Sequence, residues 1–353
     1  RSRQLSLKPS NELNVLPIID HMSELRLDIF IPTFNNARTV ASTLESLLLS
    51  ESAAGCVHSV HISIFDGGST DGTIQIAQSF RSLFSNISIQ IYPGVHPAER
   101  FNIFLRNSGA GMIANCHSDN LYDMGAILSR AHHAHNHGIC ALGADFRYYS
   151  DPLDFHTGKD ESLRTGSQTH PRTHNDITDN LLFWWSLCQA TMVYNLKFLR
   201  SNNLYLDYRK YRYAADYEFH GRIMRRGAMQ TISDQTTTVL QSLQSDGSRH
   251  SKELREETQE IKINLMQEDS LFSATCTASE IGLFASLECE YGRFKPIASP
   301  LHRDFYRIKR AALRLYRGSI YIRPESTELR NLLRKIIQLP RGNVDRVDTV
   351  EDL

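Results

Sequence analysis

An aspartate followed by a glycine-rich turn, Asp66-Gly67-Gly68-Ser69-Thr70-Asp71-Gly72-Thr73, is the feature that most limits how this chain can fold. A β-branched and aromatic run over residues 60–65 precedes it, and an amphipathic segment beginning at Ile74 follows it. The pattern predicts a strand, a tight turn and a helix, with residues 69–71 as candidate helix caps. In α/β proteins ligands bind at the carboxyl ends of strands, so we expect Asp66 to point into a crevice. On its own, the segment fits an ordinary strand–turn–helix joint equally well.

The same alternation of strand and helix repeats along the first half of the chain. Predicted strands lie at 27–31 (stopped by Pro32), 87–92 and 112–116, and predicted helices lie at 40–48, 99–108 and 124–135. Strands that alternate with helices imply an α/β fold with a doubly wound, mainly parallel sheet. Right-handed crossovers would place the ends of the strands that carry Pro32, Asp66 and Asp119 along one edge. Three polar turns are therefore expected to converge on a nucleotide-sized crevice.

The second half of the chain is less regular. A strand at 140–149 precedes a polar stretch over 150–180 that we interpret as a long loop and a possible lid. Further predicted elements are a strand near 191–194, a helix over 214–226 ended by Gly227, and a strand that includes Ile232 and 237–240. The expected organisation is an N-terminal extension (1–26), an α/β domain (27–247) and a helical, basic C-terminal region (248–353).

Composition excludes several functional classes. The chain has 353 residues, and its 39 basic and 39 acidic side chains cancel, so we expect no nucleic-acid partner. No apolar run reaches the roughly 20 residues of a membrane-spanning helix, and residues 1–8 lack the apolar core of a signal peptide. The six cysteines are scattered without a CxxC pair, which predicts reduced thiols and a cytoplasmic location.

Four motifs now stand in order, at residues 32–35, 66–73, 118–120 and 214–218, and a glycine-serine turn at 246–248 follows them. With these motifs the chain resembles the family 2 glycosyltransferases of the GT-A fold, and among them bacterial members that build polysaccharides. The resemblance runs from about Leu27 to Glu260. It implies inverting transfer of a hexosyl or N-acetylhexosaminyl group from a nucleotide-diphosphate sugar, expected to be UDP-linked, to a hydroxyl of a glycan or lipid-linked acceptor.

The resemblance also implies roles for individual residues. Pro32, Thr33 and Phe34 would line the base and ribose, Asp66 would hydrogen-bond the uracil-like edge, and Arg100 and Asn102 would approach the base or diphosphate. Ser118 and Asp119 would belong to the donor-binding turn, and Asp119 would bind Mn²⁺ or Mg²⁺ that bridges the diphosphate. Asp216 matches the base that activates the acceptor.

Two positions keep alternatives open. His117 stands where the family has Asp or Asn, and an imidazole is a poor ligand for Mg²⁺ but a better one for Mn²⁺. This departure favours an alternative, a non-catalytic nucleotide-sugar or glycan-binding protein on the same fold, whereas Asp66, Asp119 and Asp216 oppose it. Asp216 could also be a helix-start residue that satisfies free backbone N–H groups, and Glu218 is a rival base.

Other enzyme classes fit less well. A nucleotidyltransferase would need a basic, glycine-rich loop after the first strand, and residues 34–37 do not form one. A dinucleotide-dependent oxidoreductase would need GxGxxG in that first turn, where it is missing.

Three further segments allow two interpretations each. Residues 303–341 hold eleven Lys or Arg and three acids interleaved with aromatic and aliphatic residues, which fits contact with the inner face of a membrane or packing on the rest of the protein. Trp184 and Trp185 fit stacking on an acceptor sugar or core packing. The four histidines between 132 and 137 suggest a metal cluster, but a solvated helix end closed by Gly138 is the preferred interpretation.

Overall fold

The computed structural model describes residues 25–49, 59–150, 165–168, 170, 173, 177, 187–241 and 249–268. The strands are β1 (Leu27–Thr33), β2 (Val60–Asp66), β3 (Ile87–Ile91), β4 (Met112–Asn115), β5 (Ala141–Ser150), β6 (Thr165–Gln168), β7 (Val193–Asn195) and β8 (Met229–Gln241). The helices are α1 (Val40–Leu48), α2 (Thr73–Leu83), α3 (Pro97–Asn107), α4 (Met124–Asn136), α5 (Leu196–Ser201), α6 (Ala215–Met224) and α7 (Ser251–Glu268).

Within these residues the eight strands form one sheet in the order β3-β2-β1-β4-β7-β5-β6, with β8 along the other side of β5. Strands β1 to β4 pair in parallel, as do β5 and β8. Strand β7 runs antiparallel between β4 and β5, and β6 is antiparallel to β5. The predicted α/β class with a mainly parallel sheet is therefore confirmed, with antiparallel pairs around β7 that the pattern did not predict.

Helices cover both faces of the sheet, as a doubly wound fold requires. On one face, Ile29 and Ile62 pack in a buried cluster with residues of α1, α2 and α4. On the other face, Phe30 and Phe65 pack with residues of α3, α5, α6 and α7. Neighbouring residues of β1 thus enter opposite clusters, because successive side chains of a strand point to opposite faces.

The first strand does not stop at Pro32, contrary to the sequence-based expectation. Strand β1 continues to Thr33, and Pro32 pairs with Phe65 of β2. Strand β4 accompanies β1 only as far as Phe30, so the last residues of β1 have one strand neighbour. A proline, which lacks the N–H group, is tolerated where a strand has a free side.

The polar stretch predicted as one continuous loop contains a strand. Residues 165–168 form β6, which pairs with the second half of β5. Short polar segments carry little hydrophobic alternation, so a strand that is fixed by pairing with a distant partner leaves no local signal.

Several segments discussed above lie outside the described residues. These are residues 1–24, Trp184 and Trp185, the 246–248 turn, and the basic segment over 303–341. Where the chain is described, no helix has both the length and the apolar character needed to cross a bilayer. The described cysteines Cys116, Cys140 and Cys188 are free thiols.

Candidate functional site

The turns after β1 and β2 are joined by hydrogen bonds. The Asn35 N–H donates to the Ser69 hydroxyl (2.8 Å), and the Thr70 N–H donates back to the Asn35 side chain (3.0 Å). The Ala37 N–H donates to the Asp71 carboxylate (3.0 Å). Asn35 adopts a left-handed conformation with φ 53°, which Asn tolerates better than most residues. The two turns therefore form one wall at the carboxyl edge of the sheet.

Asp66 shapes this wall from inside. Its carboxylate accepts four hydrogen bonds, from the Gly68 and Ser69 N–H groups (2.8 and 2.7 Å) and from the Thr33 and Ser69 hydroxyls (2.8 and 2.6 Å). Burial raises the pKa of Asp66, but these hydrogen bonds outweigh it and hold the pKa below its usual value. Four bonds fill the lone-pair sites of a carboxylate, so the predicted contact with a base edge requires one of the hydroxyls to turn away.

We expect Asp66→Ala to lower the free energy of unfolding by about 3 kcal/mol, because two backbone N–H groups and two hydroxyls lose their acceptor. Urea unfolding at pH 7.5 measures this. The matched control is Asp71→Ala in the same turn, where the side chain is exposed and the expected loss is about 1 kcal/mol or less. Equal losses for the two variants would contradict the structural role of Asp66.

Of residues 69–71, only Asp71 bonds the start of α2, and it does so from outside the cap position. The cap position is Gly72, with φ 99°, and no side chain bonds the cap. Asp71 instead accepts hydrogen bonds from the N–H (3.1 Å) and hydroxyl (2.6 Å) of Thr73, in addition to its bond with the first turn. The polar residues of the motif thus serve the contact between the two turns.

Arg100 lies beneath the same wall. Its guanidinium, which is buried, donates to the backbone carbonyl groups of Thr33 (2.7 Å) and Phe65, so it ties the ends of β1 and β2 together. A Cβ atom on Gly67 would lie 3.2 Å from the ring of Phe34 and 3.3 Å from Nη2 of Arg100, which explains the glycine between them. The Phe34 ring is 58% exposed and is available to a ligand.

Asn102 is placed differently from the sequence-based expectation. Its amide donates to the Leu206 carbonyl (2.9 Å) and accepts from the Leu206 N–H (2.8 Å). The residue is 3% exposed, so its side chain fastens α3 to the segment that leads into α6. This placement does not support the predicted contact of Asn102 with a base or diphosphate.

The turn after β4 is held from three sides. The Tyr122 hydroxyl accepts from the His117 N–H (2.7 Å), the Thr43 hydroxyl of α1 donates to the Asn120 carbonyl (2.8 Å), and the Leu240 N–H donates to the Asn120 side chain (3.0 Å). Within this turn Ser118 is buried and Asp119 is half-buried. A rigid turn thus presents one carboxylate.

Asp216 lies in the first turn of α6 and is half-buried. Burial raises its pKa to about 7, and hydrogen bonds from the backbone N–H groups of Tyr217 and of Asp216 itself only partly offset this. The direction is the one expected for a carboxylate that accepts protons near neutral pH.

The charges of Asp119 and Asp216 both act on the Cys188 thiol. Burial raises the pKa of the Cys188 thiol to about 12, and the charges of Asp216 and Asp119 both add to the shift. Burial also raises the pKa of the Tyr194 hydroxyl, again with a contribution from Asp216. Tyr194 is bonded to His220 of α6 (2.9 Å), which anchors that helix to β7. The two carboxylates, from separate elements, therefore both act electrostatically on the same thiol.

The family model for glycosyl transferase family 2 matches residues 28–232, which is more than half of the chain. The chain belongs to glycosyl transferase family 2. The match contains the wall, the turn after β4 and the start of α6, so the resemblance inferred from the motifs is confirmed. Membership makes the chain a glycosyltransferase by family.

Solved structures agree with the fold of this glycosyltransferase. The crystal structure of S. aureus TarS 1-349 superposes with a TM-score of 0.54 at 14% identity, covering 83% of this chain and 81% of TarS 1-349. The complexes of TarS 1-349 with UDP-GlcNAc and with UDP give 0.56 and 0.55 at 15% identity, each covering 88% and 87% of the two chains. The search of curated proteins found no match.

The donor set of this family 2 site suits a hydrated cation. The described residues contain no group of three or more His, Cys, Asp or Glu that could hold a metal ion. Mg²⁺ bound with a diphosphate needs only one or two carboxylates, because waters and phosphate oxygens supply the other ligands. Asp119 meets that requirement, and the neighbouring His117 imidazole suits Mn²⁺ better than Mg²⁺. The histidines of α4 lie elsewhere, where His133 and His137 stack 4.3 Å apart at the helix end.

Sequence reasoning missed the residues that support the site. The charge of Asp216 acts on Cys188 and Tyr194, and Tyr194 is bonded to His220, yet these three residues occur singly in the chain. Tyr122 lies two residues after the 118–120 motif, and this proximity was the one available signal. Glu218, the rival base, is bonded to Arg222 (2.7 Å between Nη2 and Oε2). That ion pair on α6 leaves Asp216 as the stronger candidate.

Proposed function

We propose that this family 2 glycosyltransferase transfers a sugar from a UDP-linked donor to a hydroxyl of a glycan or lipid-linked acceptor, with inversion at the anomeric carbon. The observation that carries the proposal is the family match over residues 28–232, which contains Asp119 and Asp216, with Asp216 half-buried in the first turn of α6 and its pKa raised to about 7 by burial. One carboxylate would serve the departing diphosphate and the other the attacking hydroxyl.

In the proposed mechanism Asp216 accepts the proton of the acceptor hydroxyl as that oxygen attacks the anomeric carbon from the face opposite the diphosphate. A single displacement of this kind inverts the configuration. A base with a pKa near the working pH is deprotonated often enough to act and still binds the proton strongly. The bond between Tyr194 and His220 would keep α6, and therefore Asp216, in place.

The donor would lie against the joined turns of β1 and β2. The exposed ring of Phe34 would stack on the base, beside Pro32 and Thr33, and Arg100 would keep the strand ends fixed. Asp119, next to Ser118, would hold Mn²⁺ or Mg²⁺, with His117 as a further ligand for Mn²⁺. The cation would neutralise charge on the departing diphosphate.

The UDP-linked donor is supported by the complexes of S. aureus TarS 1-349 with UDP-GlcNAc and with UDP. At 15% identity these structures share the fold with this chain, so the hexosyl or N-acetylhexosaminyl group remains part of the proposal. The acceptor class rests on the resemblance to polysaccharide-building members, and peripheral membrane contact rests on the basic segment over 303–341.

The test combines binding and turnover. With Mn²⁺ present, UDP at 100 times its dissociation constant should stabilise the protein by about 2.7 kcal/mol, measured as a rise in thermal unfolding temperature. GDP at the same concentration should raise the unfolding temperature less. UDP-sugars with a glycan acceptor should release UDP, and NMR of the product should show inversion at the anomeric carbon. Retention would contradict the mechanism. Binding without release of UDP across acceptors would indicate the alternative, a non-catalytic nucleotide-sugar-binding protein.

A further inference from the structure

The residue at the cap position of helix α6 has no side chain that can accept a hydrogen bond. The cap position is Ala214, and no side-chain hydrogen bond is made there. Within the first turn, the Asp216 carboxylate accepts a hydrogen bond from the Tyr217 N–H (3.0 Å). A helix start leaves backbone N–H groups without partners inside the helix, and its orientation depends on what binds them.

The backbone that leads into α6 is bound by another helix. Glu257 of α7 accepts hydrogen bonds from three consecutive N–H groups directly before α6: Arg212 (2.8 Å), Tyr213 (2.7 Å) and Ala214 (2.8 Å). One carboxylate thus fixes the three residues that lead into the turn containing Asp216. A negative charge near the amino end of a helix is also favoured by the helix dipole.

The rest of α7 is fastened to the same region. The Tyr211 hydroxyl donates to Glu260 (3.1 Å) and accepts from Asn264 (2.9 Å). Farther along, Leu265 packs against Gly221 of α6, and the Leu265 carbonyl accepts from Arg225 (3.0 Å). Helix α7 therefore contacts α6 or its flanking residues near the beginning, the middle and the end. These contacts fix the position of α7, and so they also fix the position of the Glu257 carboxylate.

We propose that Glu257 is a positioning residue for the transfer reaction: it fixes the start of α6 and thereby sets the direction of the Asp216 carboxylate. The inference rests on the proposed function, in which Asp216 is the base. Glu257 lies beyond residue 232, where the family match ends. Misplacing a reacting group by about 1 Å costs on the order of 100-fold in rate, so a residue that fixes the position of Asp216 would affect kcat strongly.

The experiment uses the full chain and compares Glu257→Gln with Glu256→Gln. Glu256 is the preceding residue of α7; its side chain is exposed and lies 3.9 Å from Lys252. In Glu257→Gln the new NH₂ group faces backbone N–H groups and cannot accept from them. We expect kcat to fall about 30-fold, with KM for the donor within about twofold, because the donor wall belongs to β1 and β2. Glu256→Gln should leave both constants within about twofold.

A double-mutant comparison separates positioning from general damage to the fold. If Glu257 acts through Asp216, then Glu257→Gln should lower the residual rate of Asp216→Asn by less than about twofold. A further 30-fold loss in that background, or a kcat of Glu257→Gln equal to that of Glu256→Gln, would overturn the proposal. If Glu257→Gln does not fold, Glu257→Asp retracts the carboxylate by one methylene and gives the same readouts.

The two proposals fail differently. Asp216→Asn with full activity would overturn the assignment of the base, and with it the mechanism proposed above. A nearly inactive Asp216→Asn together with a fully active Glu257→Gln would leave that mechanism in place and refute only the positioning role. Titration with UDP and Mn²⁺ shows whether each variant still forms the donor site.

Discussion

Asp216→Asn is expected to lower kcat by about 1,000-fold while the dissociation constant for UDP stays within about twofold. General-base catalysis typically contributes 100- to 10,000-fold, and an amide cannot accept the proton of the acceptor hydroxyl. The donor affinity should hold because the base and ribose are expected to contact the turns after β1 and β2. Steady-state kinetics with a UDP-sugar and calorimetric titration with UDP measure the two quantities.

The pH profile gives an independent readout of the same residue. Because burial raises the pKa of Asp216 to about 7, its carboxyl group is mostly protonated below pH 7 and cannot act as a base there. The wild-type kcat should therefore rise with pH and level off above about pH 7. In Asp216→Asn the small residual rate should lack this acidic limb. A wild-type profile that is flat from pH 5 to 8 would contradict the assignment.

Stability and a neighbouring carboxylate provide the controls. A carboxyl group whose pKa is raised in the folded state holds its proton more tightly there, so the stability of the wild type should fall as pH rises from about 4 to 7. Asp216→Asn removes that dependence and should unfold at an equal or higher urea concentration at pH 8.

Glu218→Gln keeps an oxygen that can accept from Arg222, and its kcat should stay within about fivefold of the wild-type value. A larger loss in Glu218→Gln than in Asp216→Asn would reverse the roles.

The fold could be predicted where it follows from local periodicity. Strands β1 to β4 and helices α1 to α4 have buried runs and stripes that give their positions to within a few residues. Strand β8 was recognisable although its register with β5 shifts between Ala144 and Phe146. Asp234 lies in the part of β8 that the shift leaves unpaired with β5, and it accepts a hydrogen bond from Arg130 of α4 (2.7 Å). The insertion of β7 between β4 and β5 had no local signal, because it depends on pairing between residues far apart in the chain.

The candidate site was predictable as a set of turns but less so as a set of contacts. The motifs give the positions of Asp66, Asp119 and Asp216, and the charges of the last two both raise the pKa of the Cys188 thiol. They do not show that Asn102 is bonded to Leu206 or that Asp66 is surrounded by its own turn. Such details depend on which buried polar groups need partners, and only the packed structure decides that. Glu257 illustrates the same limit, since its partners lie more than 40 residues away.

Asp119→Asn is expected to lower kcat by about 100-fold at 1 mM Mn²⁺, equivalent to roughly 2.7 kcal/mol of transition-state stabilisation. An amide oxygen carries no charge, so the cation should bind more weakly to the site and the diphosphate should leave with less neutralisation. The concentration of Mn²⁺ that gives half the maximal rate should rise at least tenfold. With EDTA present no cation is bound, so the dissociation constant for UDP measured under that condition should be the same for Asp119→Asn and the wild type.

A second acidic residue of the same region provides the matched control. Asp123 accepts the Ala126 N–H (2.8 Å) as the cap of α4, and Asn caps a helix about as well as Asp, so Asp123→Asn should leave the Mn²⁺ dependence unchanged. His117→Asp should act in the opposite direction to Asp119→Asn, because a second carboxylate lowers the Mg²⁺ concentration needed for activity. The backbone bond of residue 117 to Tyr122 survives that substitution. Equal Mn²⁺ dependence in wild type and Asp119→Asn would show that the cation, if used, is held elsewhere.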